Sequence, residues 1–104
     1  MSRYGFMMRL RNEDVIPEYK RMHDEIGEDV LEVHRRAGIR NYSIFRFNLD
    51  LFGYFEADDP AQCIVQLGQE PVIHSWWSRA EPLLETDKNG RPIFTELLEI
   101  FYMS

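Results

Sequence analysis

Large apolar side chains at every second position open the chain, with Tyr4, Phe6, Met8 and Leu10 separated by single residues. A period of two places one set on one face of an extended segment, so Tyr4 to Leu10 predicts a strand. The period then changes. Asn12 precedes the acidic pair Glu13 and Asp14, as a helix N-cap does, and Val15, Tyr19, Met22, Ile26, Val30, Val33 and Ala37 follow in steps of three and four. That spacing predicts one helical stripe of about six turns. Pro17 is tolerated because it falls at the first turn. Gly27 costs roughly 1 kcal/mol relative to Ala in a helix interior and marks a bend or break. Gly38, after Arg35 and Arg36, is the expected C-cap.

Alternation returns at Asn41 to Phe47, where Tyr42 and Ile44 share one face and Phe45 and Phe47 the other. Asn48-Leu49-Asp50 predicts a short turn and Leu51 to Glu56 a third strand, together a hairpin. Asp58-Asp59-Pro60 opens a helical region that should split near Gly68. Pro71 then starts a second piece through Val72, Ile73, Trp76, Trp77, Ala80 and Leu84. Asp87 to Pro92 is a turn-rich loop around Asn89-Gly90, and Phe94 to Met103 reads as a last strand. The order β-α-β-β-α-β predicts a ferredoxin-like α+β sandwich, a single domain over residues 1–104. Aromatic residues occur on both parities of the strands. The sheet face away from the helices should therefore be covered by a second copy of the chain, giving a homodimer.

Composition narrows the function classes. The 104 residues carry a net charge of −6, which argues against a protein that tracks nucleic-acid phosphates. The basic cluster Arg35, Arg36 and Arg40 reads as a solvated helix end. Cys63 is the only cysteine, so no internal disulfide or thiolate metal cluster forms, and its apolar neighbours Ile64 and Val65 suggest a buried small residue. No apolar run has the length of a signal peptide or membrane span, so the expectation is a cytoplasmic protein with no membrane partner.

The candidate chemistry lies in imidazoles and aromatic rings. His23 follows Tyr19 by one helical turn, so both project from the same side and can reach a cavity between helix and sheet. An imidazole with an ordinary pKa near 6.5 both takes and gives protons at neutral pH. A core histidine bonded to a carbonyl is the plainer alternative. His34, among Glu32, Arg35 and Arg36, reads as a surface residue, and His74 could face either way. No histidine pair with a carboxylate has metal-ligand spacing, so no metal is expected. Trp76 and Trp77 are adjacent on a helix, about 100° apart, so at least one must line a boundary, pocket or interface. Flat aromatic rings suit the C–H faces of sugars. Tyr42 and Tyr102 sit at strand ends where a hydroxyl can enter a pocket. Glycine-rich phosphate loops, nucleotide fingerprints and serine elbows are missing from the sequence.

Several short stretches occur together in a familiar order: Phe6-Met7-Met8, Glu18-Tyr19-Lys20-Arg21-Met22-His23, Asn41-Tyr42-Ser43-Ile44, Trp76-Trp77, and Glu96-Leu97-Leu98-Glu99-Ile100-Phe101-Tyr102-Met103. Through these the chain resembles the L-rhamnose mutarotases over nearly its whole length. The resemblance implies a ferredoxin-like subunit paired into a dimeric α/β barrel, with His23 as the proton-donating residue and Tyr19, Tyr42, Trp76 and Trp77 as sugar-binding positions. It implies a cofactor-free interconversion of the anomers of a free 6-deoxy-sugar, L-rhamnose or a relative such as L-fucose. Two stretches depart from the family pattern. Ile26-Gly27-Glu28 stands where the family has an aromatic-proline step, and Glu85 to Pro92 replaces its Asn-Pro-rich loop. Two other readings fit such a barrel: a small monooxygenase, and a dimeric module that binds a ligand without transforming it.

Overall fold

β1 (Ser2–Arg9), α1 (Ile16–Asp24), α2 (Glu28–Arg36), β2 (Arg40–Phe47), β3 (Asp50–Ala57), α3 (Pro60–Leu67), α4 (Pro71–Ala80) and β4 (Thr95–Leu97) follow one another in a computed structural model that describes residues 1–104. The strands form one antiparallel sheet in the order β2-β3-β1-β4. The helices, two in each connection, cover one face of it. This is the ferredoxin-like α+β arrangement, with each predicted helix divided in two.

The divisions follow local chemistry. Asn12 caps a short 3-10 turn by accepting from the Asp14 N–H at 3.0 Å, and α1 follows with Pro17 in its first turn. The apolar stripe runs on through α2, but the backbone breaks between them: Gly27 is extended (φ −76°, ψ 152°) and serves as the N-cap of α2. The second helix ends in a two-bond cap. The Ile39 N–H reaches the His34 carbonyl (3.1 Å), and the Gly38 N–H reaches the Arg35 carbonyl (3.0 Å). That closure needs the left-handed conformation Gly38 adopts, φ +100°. Asp59 caps α3 through the Gln62 N–H, and Pro60 and Pro71 sit in the first turns of α3 and α4.

The core lies between the helices and the inward face of the central strands. β3 alternates strictly, with Leu51, Gly53, Phe55 and Ala57 buried. Phe6 and Leu10 come from β1 and its extension, Tyr19, Met22, Val30 and Val33 from α1 and α2, and Cys63, Leu67, Ile73 and Trp76 from α3 and α4. Gly53 is required by its neighbour: a Cβ there would lie 2.1 Å from Cζ of Phe6, so the Phe6 ring lies directly on the β3 backbone.

The last strand is shorter than its pattern. Regular pairing with β1 covers only Thr95–Leu97, although the register continues one step in side chains. Arg3 grips Glu99 with two hydrogen bonds of 2.7 and 2.8 Å, and Tyr102 stacks on the Arg3 guanidinium at 3.4 Å. Leu98, Ile100, Phe101 and Met103 stand exposed, as do Phe45 and Phe47 on β2.

Candidate active site

Between the sheet and the helices lies a cavity of about 350 Å³, walled mostly by apolar side chains. An adjoining hollow of about 730 Å³ shares with it the wall made by Tyr19, His23, His34, Tyr42, Ile44 and Trp76. Phe6, stacked on Phe94 at 4.9 Å and 20°, forms part of the floor. Five of the residues singled out from the sequence line the smaller cavity together: Tyr19, His23, Tyr42, Trp76 and Trp77.

The helical spacing of Tyr19 and His23 sets the centre of the site. Nδ1 of His23 donates to the Tyr19 carbonyl at 2.9 Å. A carbonyl only accepts, so Nδ1 carries the proton and the neutral ring keeps its lone pair on Nε2. The Tyr19 ring lies 4.5 Å from the imidazole, and Trp76 meets it edge-on at 5.2 Å and 78°. Burial among these rings pushes the His23 pKa below the usual imidazole value. The carbonyl bond and the Asp24 carboxylate oppose that shift, and Lys20 adds to it. His23 is therefore neutral at pH 7, a base on its cavity side.

The phenols have the opposite character. Burial raises the Tyr19 hydroxyl to about 12, and it raises Tyr42 as well, with Tyr19 nearby adding to the effect. Tyr42 is 40% exposed, but that area lies at the cavity wall, among Phe6, Phe55 and His34. Both phenols stay protonated and can donate. A bulge lies beside Tyr42: the β2–β3 register slips between Arg40 and Ser43, Asn41 adopts φ 53°, and its side chain donates to Glu56 at 3.0 Å. Tyr42 keeps the helix-facing side of the strand that it shares with Ile44.

The two tryptophans divide as adjacent helical residues must. Trp76 is buried against His23, with Arg79 over its ring, and Trp77 is 39% exposed at the cavity edge. Other candidates fall elsewhere. His74 is exposed and donates from Nε2 to the Gly68 carbonyl; Tyr102 lies under Arg3 on the far face of the sheet. Cys63 is buried, its thiol donating to the Ala37 carbonyl at 3.0 Å, and burial pushes its pKa up, so it is no nucleophile.

Two residues at the cavity were not among the candidates. His34, expected at the surface, is half-buried and lines both hollows. The misleading signal was its charged company; the better one was its place one turn after Val30, on the border of the apolar stripe. Glu81, just after α4, is the single carboxylate on the smaller cavity's wall.

A family model described as L-rhamnose mutarotase matches residues 3–103. The L-rhamnose mutarotase of Oceanobacillus iheyensis is 31% identical over 105 residues, covering 99% of each chain. That of Listeria monocytogenes serovar 1/2a is 33% identical over 92 residues, covering 84% of this chain and 85% of its own. In fold, the crystal structure of an L-rhamnose mutarotase from Formosa agariphila superposes with a TM-score of 0.83 at 24% identity, covering 100% of both chains. A polyketide cyclase, tetracenomycin F2 cyclase from Streptomyces glaucescens, shares the fold more distantly (TM-score 0.68, 20% identity). With a match that runs nearly end to end and relatives above 30% identity, the chain belongs to the L-rhamnose mutarotase family.

Proposed function

We propose that the protein interconverts the α and β anomers of free L-rhamnose, with His23 as the proton-transferring residue. The observation that carries this is the locked His23 ring: its Nδ1 proton is committed to the Tyr19 carbonyl, which leaves Nε2 free on a residue lining a mostly apolar cavity with two phenols, His34 and Glu81. Ring opening needs a proton taken from the anomeric hydroxyl and one delivered to the ring oxygen. Both oxygens are bonded to C1, so one nitrogen reaches each in turn. Nε2 takes the O1 proton, the C1–O1 double bond forms as C1–O5 breaks, and the imidazolium gives that proton to O5. Rotation about C1–C2 presents the other carbonyl face. Closure reverses the transfers and returns His23 to its starting form.

The surroundings serve the same steps. Tyr19 and Tyr42, held protonated by burial, donate to sugar hydroxyls. Trp76 and Trp77 pack against the C–H face and the 6-methyl group. General acid–base assistance of about 10²–10⁴-fold is enough for a reaction that already proceeds unaided on a minutes scale. No helix is long and apolar enough to cross a membrane. On this reading the protein acts as a homodimer in the cytoplasm. The second copy covers the sheet face carrying Phe45, Phe47 and Leu97 and the exposed 98–103 segment.

Exchange NMR on the anomeric protons at equilibrium tests the reading. The protein should accelerate exchange of L-rhamnose and leave methyl L-rhamnoside, which has no O1 proton, unaffected. Exchange of L-fucose but not L-rhamnose moves the substrate and keeps the chemistry; no acceleration of any 6-deoxy-hexose overturns it.

A further inference from the structure

α2 carries a second imidazole locked in the same way as His23, and the steps above give it no task. Nδ1 of His34 donates to the Val30 carbonyl, one turn back, at 2.7 Å. The acceptor is again a carbonyl, so the proton stays on Nδ1 and the neutral ring keeps a lone pair on Nε2. His34 and His23 line both hollows. The helix end does not need His34 as a cation. Arg35 and Arg36 are exposed there and pair with Glu28 and Glu70, while the His34 ring lies inward with Tyr42 edge-on at 5.8 Å and 64°.

The wall that includes His34 is mostly apolar, with Ile39, Ile44 and Phe55 among its residues. A lone-pair acceptor in such a wall is matched by a hydroxyl donor, and a sugar carries hydroxyls around its whole rim. His23 uses the groups on C1, which leaves the hydroxyls remote from C1 for a second acceptor. We propose that His34 is a specificity-determining residue of this site: its Nε2 accepts a hydrogen bond from a sugar hydroxyl remote from C1 and so selects among 6-deoxy-hexoses. The inference rests on the mutarotase reading given above. A sugar with that hydroxyl in the other configuration leaves Nε2 unpaired, which weakens binding without touching ring opening.

The test compares wild type, His34→Leu and His34→Gln on 6-deoxy-L-hexoses that differ at one hydroxyl. Exchange NMR gives kcat and KM, and tryptophan fluorescence, reported by Trp76 and Trp77, gives Kd without turnover. His34→Leu should raise KM and Kd for the preferred sugar by roughly 3–10-fold, the worth of one hydrogen bond. It should also shrink the preference between epimers and leave kcat within about twofold. His34→Gln, whose amide oxygen reaches near the place of Nε2, should recover most of the loss, and thermal unfolding of both variants reports their folding. Wild-type Kd and preference in His34→Leu overturn the proposal, as does a fall in kcat at unchanged Kd. If wild type binds sugars but does not accelerate exchange, the mutarotase reading fails while Kd still decides the role of His34. If wild type binds none, both fail.

Discussion

Gly53→Ala perturbs the site from beneath, and its effect follows from three distances. An added Cβ would lie 2.1, 2.4 and 2.5 Å from ring carbons of Phe6, where ordinary contacts are more than 3.4 Å. The obstacle is a rigid ring rather than the end of a flexible chain, so Phe6 must rise by over an ångström. It then leaves its stacking on Phe94 at 4.9 Å and enters the space the sugar would occupy. Overpacking of this kind costs about 1–3 kcal/mol. Ala at a compatible backbone position returns about 0.4–1 kcal/mol through the unfolded chain, so a net loss of about 1–2 kcal/mol is expected. For a domain of this size that is a fall in Tm of roughly 5–15 °C. Thermal unfolding by circular dichroism measures it, and the sugar Kd should rise in parallel. Phe6→Leu in the Gly53→Ala background should recover stability, a favourable coupling between two destabilising changes. A Gly53→Ala protein with wild-type Tm and Kd, or a double variant as unstable as the sum of its parts, would refute the close packing of Phe6 on β3.

Other consequences concern the walls. Trp76→Ala removes a buried ring and should cost about 3–5 kcal/mol of stability, whereas Trp77→Ala, at the cavity edge, should raise the sugar KM with Tm nearly unchanged; denaturant unfolding beside kinetics separates the two. His23 has a folded-state pKa below its unfolded value, so the unfolded chain binds more protons in the interval beneath about 6.5. Stability should rise with pH through that interval and be lost on acidification, and kcat/KM should fall with the same protonation at an apparent pKa under 6.5; an inflection at or above 6.5 contradicts the buried, neutral imidazole. Cys63→Ala should keep full activity, and the folded protein should resist alkylation, because the thiol is buried against the Ala37 carbonyl.

Much of this architecture is legible in single residues. Asn12, Asp59, Gly38 and the prolines at 17, 60 and 71 place the helix boundaries where caps and first turns require them. The four-residue step from Tyr19 to His23 carries both into one cavity, and the adjacency of Trp76 and Trp77 forces one of them to its edge. What the pattern does not reveal depends on partners across space. The segment after Leu97 alternates like a strand, but a strand is made by its hydrogen-bonded neighbour, and regular pairing with β1 ends at Leu97. The bulge beside Tyr42, at Asn41, shows only in the β2–β3 register. His34 reads as a surface residue because its sequence neighbours are charged, yet one turn of helix brings it to the site.

The most direct test of the central claim is anomeric exchange of L-rhamnose with wild type and His23→Gln at pH 7. Wild type should accelerate exchange, and His23→Gln, folded to a similar Tm, should lose about 10²–10⁴-fold of that acceleration. Acceleration that survives the substitution would remove His23 from the proton path and with it the mechanism built on its locked ring.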